Sequence, residues 1–189
     1  MRFYTTKGDT GGTDLLGERV SKADLRVHML GELDETTSAI GLGRAYATTP
    51  EVSDALIAAQ RDLYQIMAEL AFVDATRPDR FRLSPDRVTD LETATDRLAT
   101  TVELPREFIL PGETVPGAAL DLARTVARRA ERVAVALDQA GQMPNPEILR
   151  YLNRLSSLLF ITARVEDGAA GGAPRQAKTG ASRQRSTDL

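Results

Sequence analysis

Cysteine and tryptophan are absent from the 189 residues, and histidine occurs once, at His28. Without cysteine there are no disulfides, no thiolate nucleophile and no cysteine metal site. A Ser-His-Asp triad or a multi-histidine metal centre would have to be built on His28 alone, and nothing near it in sequence completes one. His28 is expected at an ordinary, partly exposed helix position, so the chemistry must come from positioning and charge rather than from an imidazole base. No apolar run reaches the roughly 18 residues of a membrane span, and the first residues lack the apolar stretch of a signal peptide, so a cytoplasmic protein without a membrane partner is expected. A net charge of -3 gives no general affinity for polyanions; nucleic-acid binding is not expected, and any basic surface must be local.

What is present is aliphatic: 42% hydrophobic residues against 5% aromatic ones, the make-up of an Ala- and Leu-rich core between helices. The length suits one domain, residues 1–167, whose first 20 residues form a loop, followed by a tail. Five helix starts are legible. Ser21-Lys22-Ala23-Asp24 reads as a capping box opening a helix over 24–47. Thr49-Pro50-Glu51 supplies the cap, first-turn proline and early acid of a second, running to about Asp74. After a polar connection over 75–83, Ser84-Pro85-Asp86 opens a third, which reaches about Thr100. The fourth carries Pro116 in its first turn and stops at Gly141. Asn145-Pro146-Glu147 opens the fifth, apolar around much of its circumference through Leu149, Leu152, Leu155, Leu159 and Ile161, as expected of a helix at the centre of a bundle or facing another subunit. No strand-like alternation of useful length is found, and residues 168–189, dominated by Gly, Ala, Ser, Arg and Gln, are expected as a disordered tail.

Helical spacing in the fourth segment places Asp121, Arg124, Arg128, Glu131 and Arg132 on one face, and Leu122, Val126, Val133 and Leu137 on the other. Arginines clustered within two turns repel one another and suit an anion, since the forked guanidinium matches phosphate or carboxylate. A solvated surface with helical ion pairs has the same appearance. The stretch Thr5-Thr6-Lys7-Gly8-Asp9-Thr10-Gly11-Gly12-Thr13 offers backbone N–H groups, hydroxyls and, with Lys7 and Lys22, charge for a phosphate cradle, without matching a P-loop or dinucleotide fingerprint. Phe108-Ile109-Leu110, bounded by Pro105, Pro111 and Gly112, is an apolar loop that must plug the core or line a pocket.

Together these segments resemble the PduO-type ATP:cob(I)alamin adenosyltransferases. The resemblance runs in order through the Tyr4–Thr13 stretch, Ser21 to Glu35, Phe108-Ile109-Leu110-Pro111-Gly112, Ala123 to Arg132 and Tyr151-Leu152-Asn153-Arg154-Leu155-Ser156, covering roughly residues 3–165. It implies an all-α, five-helix bundle of the ferritin-like type, assembled as a homotrimer with ATP and the corrinoid bound between subunits. The implied ATP-binding residues are Thr5, Thr6, Lys7, Gly8, Asp9, Gly11 and Thr13 of the cradle, Lys22 and Arg26 in support, and Arg128, Glu131, Arg132 and Asn153 on the helical side. Asp34 would pair with Arg124 across the subunit boundary, and Phe108 would press on the lower face of the cobalamin ring; with Arg128 these form the implied catalytic set. Cob(I)alamin is its own nucleophile, so the protein would present the 5′ carbon of ATP in line and hold the departing triphosphate, helped by Mg²⁺ bound mainly through the phosphates. A flavoprotein reductase and an adenosylcobalamin-dependent enzyme are the implied partners.

Against the usual pattern of that family, Lys7 stands in place of Thr or Asn, Thr37 in place of Asn, Glu113 in place of a second Gly, Asp121 in place of His, and Ser157 in place of Asp. Glu113 and Asp121 add negative charge near both expected ligands. They leave open an altered acceptor, or a non-catalytic ATP-binding regulatory or carrier bundle. A plain helical oligomerisation module is the third reading.

Overall fold

The computed structural model describes residue 4 and residues 6–72, 77–104 and 107–178. A two-stranded antiparallel hairpin, β1 (Gly12–Leu15) and β2 (Glu18–Ser21), precedes five helices: α1 (Leu25–Tyr46), α2 (Pro50–Ala71), α3 (Pro85–Ala99), α4 (Val115–Gln139) and α5 (Pro146–Ala169). α1 lies against α4 and α2; α5 lies between α4 and α3 and also touches α2. The central position expected for the fifth helix is observed, and Tyr151, Leu152, Leu155, Leu158 and Leu159 on it are fully buried. Among the described residues no helix is long and apolar enough to cross a membrane. His28 is exposed and lies 3.4 Å from Glu32 one turn on.

The helix starts follow the capping chemistry, with one change. Ser84 accepts from the Asp86 amide at 3.3 Å and Asn145 from the Glu147 amide at 3.1 Å. α1 is capped by Asp24, which accepts from the Arg26 amide at 2.8 Å, and not by Ser21, whose hydroxyl accepts from the Ala23 amide in the preceding turn. The side chain of Thr49 makes no cap bond. Instead the Glu166 carboxylate of α5 accepts from the amides of Thr48 and Thr49, at 2.9 and 3.0 Å, fastening the α1–α2 turn to the centre of the bundle.

Three expectations are corrected. The hairpin was not legible because its strands, Gly-Thr-Asp-Leu and Glu-Arg-Val-Ser, are short and polar; it turns at Leu16-Gly17, where Gly17 takes φ 111°. α2 stops at Ala71 rather than near Asp74, because Phe72 is extended and the Ala71 carbonyl accepts from the Leu16 amide at 2.9 Å; residues 73–76 lie outside the described part. On α4 the packed face is centred on Ala123, Ala127, Ala130 and Ala134, while Leu122 is 55% exposed and Asp121 is buried. Small side chains let α4 approach α1 and α5 at once, so the alanines rather than the larger aliphatics define the buried sector.

Two polar clusters cross the core. The hydroxyl of Tyr151 donates to Asp62 Oδ2 at 2.8 Å, and Arg87 Nη2 lies 2.6 Å from Asp62 Oδ1. Glu69 accepts from the Leu83 amide at 2.7 Å and from Asn145 Nδ2 at 3.3 Å. Burial, and then the Asp62 charge, push the Tyr151 hydroxyl well above its ordinary value near 10. The folded protein therefore keeps that proton where the unfolded chain releases it, and stability falls as pH rises above about 10. Tyr151→Phe is expected to lower the unfolding free energy by about 1–2 kcal/mol at neutral pH and to flatten the loss at alkaline pH, both read from urea denaturation across pH.

Candidate functional site

The loop after α3 folds against α3, α4 and α5 and bounds a cavity of about 700 Å³. Phe108, Ile109 and Pro111 line it from the loop, Asp121, Arg124 and Arg128 from α4, and Ser156, Ser157, Phe160 and Arg164 from α5. The apolar loop thus lines a pocket and does not plug the core. Phe108 itself is 88% exposed. Its backbone is fixed by residues that belong to the expected tail: the Leu110 amide donates to the Arg175 carbonyl and the Ala177 amide to the Phe108 carbonyl, each at 2.8 Å, and Arg175 lies 3.3 Å from Glu113. Residues 168–178 are therefore not free chain, because the peptide groups of the loop and of the tail satisfy one another; residues 179–189 lie outside the described part.

Asp121 does not add an uncompensated charge to this cavity. Its Oδ2 lies 2.6 Å from Arg164 Nη2 and its Oδ1 3.1 Å from Arg124 Nε. Arg164 also reaches Asp167 at 2.9 Å, and the Thr114 hydroxyl donates to Asp167 at 2.7 Å while accepting from the Gly117 amide at the start of α4. A Cβ at Gly117 would stand 2.1 Å from Asp167 Oδ1, so glycine is required there. The Nε of Arg164 is buried without a hydrogen-bond partner, and its guanidinium lies over the Phe160 ring at 5.4 Å. Glu113 and Asp121, the two added acids, are each matched by an arginine. Arg164 was missed from sequence. Its signal was a lone arginine in the apolar run Ile161 to Val165, at helical spacing from Asn153, Ser157 and Phe160.

The arginines of α4 divide by partner. Arg129 pairs with Glu35 and with Glu32 of α1, the latter at 2.7 Å, and the Glu35 hydrogen bond, then that of Glu32, raises its pKa. Arg128 is exposed and makes no ion pair among the described residues, and Arg132 donates only to the Arg128 carbonyl, at 2.9 Å. Next to them, Asn153 Nδ2 donates to Glu131 Oε1 at 2.8 Å and ties α5 to α4. This leaves the charge of Arg128 and Arg132 available to an anion.

The glycine-rich segment is shaped by the hairpin. The Arg19 guanidinium donates to the Lys7 carbonyl at 2.7 Å and to Asp14 at 2.8 Å, and a Cβ at Gly12 would stand 2.8 Å from Arg19 Nη2. Gly11, at φ 83°, accepts from the Lys22 amide, and Lys22 Nζ would be 3.0 Å from a Cβ at Gly8. The Asp9 amide donates to the Thr6 carbonyl at 3.2 Å, and Thr13 pairs in register with Val20. Arg26 pairs with Glu18 of β2 and so joins the hairpin to α1. Thr5 lies outside the described residues. No hydrogen bond or ion pair among the described residues joins the hairpin to Arg128, Glu131, Arg132 or Asn153, or Asp34 to Arg124.

Residues 3–166 match the family model described as cobalamin adenosyltransferase. A corrinoid adenosyltransferase of Bacillus subtilis (strain 168) is 39% identical over 177 residues, covering 90% of this chain and 89% of its own. The corrinoid adenosyltransferase PduO of Salmonella typhimurium is 40% identical over 172 residues, and the chain spans about half of its length, 51%. Among solved structures, a phenylalanine-to-alanine variant of the PduO-type ATP:corrinoid adenosyltransferase from Lactobacillus reuteri, complexed with cobalamin and ATP, superposes with a TM-score of 0.85 at 31% identity, covering 94% of this chain and 100% of that one.

Deleting residues 173–189 removes both backbone partners of the Phe108 loop. Hydrogen exchange should then speed up at the Leu110 amide by at least tenfold or so, while amides of α4 and α5 keep their protection.

Proposed function

The chain belongs to the cobalamin adenosyltransferase family, and we propose that it transfers the 5′-deoxyadenosyl group of ATP to the cobalt of cob(I)alamin, releasing triphosphate. The observation that carries this is one wall of α4 that serves both ligands. Arg128 lines the cavity beside Phe108, and the next turn, through Arg132 and the Glu131–Asn153 pair, presents the nucleotide side. In the transfer, the Co(I) electron pair forms the bond to C5′, the C5′–O bond breaks, and its electrons leave with triphosphate, so cobalt ends as Co(III) and no proton moves. No base is needed, which suits a chain with one exposed histidine.

The residues divide the work. Arg128 and Arg132 meet the phosphates, where charge builds as the C5′–O bond breaks. Asn153 and Glu131 fix the nucleoside by hydrogen bonds. The peptide groups of Thr6, Lys7, Gly8, Asp9, Gly11 and Thr13, with the Lys22 amine and the unassigned hydroxyl of Thr5, wrap the triphosphate, and Arg26 holds that hairpin in place. Phe108, already standing free of the core, covers the lower face of the corrin and keeps a ligand from that side of the metal. Mg²⁺ enters on the nucleotide, since no three acidic or histidine side chains converge among the described residues, and it would neutralise phosphate charge there.

The complete site is shared between copies, in a homotrimer. Supporting this, the hairpin and the Arg128 face make no bond within one chain, and Asp34 is exposed without an ion pair among the described residues, free to meet Arg124 of a second copy. A flavoprotein that reduces the cobalt and an enzyme that uses the adenosylated product are the partners this chemistry calls for, in a cytoplasmic setting.

The test is an anaerobic assay with MgATP and chemically reduced cob(I)alamin, following the cobalt–carbon product by its visible spectrum and triphosphate in solution. Equal amounts of the two are expected. ATP binding without either product would establish the non-catalytic carrier instead. Arg128→Ala should weaken ATP binding by a factor of about ten or more, whereas Phe108→Ala should leave ATP binding unchanged and slow only formation of the cobalt–carbon bond.

A further inference from the structure

Four charged side chains stand in a chain behind the cavity wall: Arg124, Asp121, Arg164 and Asp167, linked at 3.1, 2.6 and 2.9 Å. Two positive and two negative groups cancel. The outer member, Arg124, lines the cavity, and its guanidinium is held inward by Asp121. The remaining cation of the wall, Arg128, is committed to phosphate under the function proposed above. Two further cavity residues, Asp96 and Glu107, are exposed acids with no cationic partner among the described residues. With nucleotide bound, the wall therefore offers an incoming corrinoid carboxylates and hydroxyls but no uncommitted guanidinium.

Corrin rings carry peripheral side chains that end either in carboxylates or in amides. An amide N–H can donate to Asp96 or Glu107, and its neutral carbonyl is not repelled by them. A carboxylate meets like charge at the same places, and only a free guanidinium would compensate it with a charge-assisted pair. We propose that Asp121 is the positioning residue that sets acceptor specificity. By tying Arg124 to the buried Arg164, it makes the cavity select corrinoids with amidated side chains over corrinoids that carry free carboxylates. This rests on the adenosyl-transfer reading and adds to it the class of acceptor. It also gives the exchange of histidine for Asp121 a purpose, since a residue without a negative charge would leave Arg124 unclaimed.

The experiment compares two acceptors under anaerobic conditions at saturating MgATP: reduced cobalamin, and a reduced cobalamin monocarboxylic acid prepared by mild acid hydrolysis of one peripheral amide. The unaltered protein should favour the amide form by roughly tenfold or more in kcat/KM, through KM, with similar kcat. Asp121→Asn keeps the size of the side chain, leaves Arg164 on Asp167 and frees Arg124. It should narrow that ratio by roughly tenfold while the KM for ATP stays the same, a split that general loss of structure would not produce. Asp121→His should narrow it in the same way and serves where the asparagine variant fails to fold. Arg124→Gln placed in the Asp121→Asn protein should restore the preference. Equal use of the two acceptors by the unaltered protein, or a preference unchanged in the folded Asp121 variant, overturns the assignment of specificity while leaving adenosyl transfer standing. Turnover of neither acceptor overturns both.

Discussion

A guanidinium with 2% of its side chain exposed, that of Arg164, is the constraint on which the cavity side of the molecule depends. Removing an arginine from water costs several kcal/mol even after relaxation, and only close carboxylates with satisfied lone pairs compensate it. Asp121 and Asp167 provide them from two helices, and each is used twice, Asp121 for Arg124 and Asp167 for the Thr114 hydroxyl. The start of α4, the end of α5 and the cavity wall are thereby set by one cluster. Loss of a single member would leave a buried charge uncompensated, so the cluster behaves as a unit rather than as separate bonds.

The same logic separates the two kinds of arginine on α4. Arg129 is occupied by Glu32 and Glu35 and so holds α1 to α4, whereas Arg128 and Arg132, one residue before it and three after, are left for a ligand. Helical geometry explains the division: adjacent residues lie about 100° apart around the axis, so a run of arginines serves an internal contact and an external site together. Surface ion pairs of the Arg129 type contribute little each, and their importance here is to fix which way the neighbouring side chains face.

Much of this was legible in the sequence because it is local. Pro50, Pro85 and Pro146, each preceded by Thr, Ser or Asn, mark helix starts through φ restriction and capping, which depend on a few successive residues. The family motifs carried the site, since Phe108, Arg124 and Arg128 are brought to one cavity as the order of segments implied. The rest depended on partners distant in the chain. Asp121 looks like a solvated acid until Arg164, on another helix, is placed beside it. Leu122 looks like core until the alanine face of α4 is seen to pack on two helices at once. The hairpin offers four polar residues per strand, too few for alternation to show, and its order comes from Arg19 reaching Lys7 and from Leu16 reaching Ala71. The tail was read from composition, which does not register that backbone groups of residues 175 and 177 can serve as partners for a loop.

That last pairing bears on how the protein is made. The ribosome delivers the segment containing Phe108 before α4 and α5, and its backbone partner only after both. The helices can pack as they emerge, but the aromatic residue that faces the corrin acquires its fixed position at the end of synthesis. The nascent protein is thus a stable bundle before it is a competent enzyme, and cob(I)alamin, which is reactive and scarce, meets a finished binding surface only on completed chains.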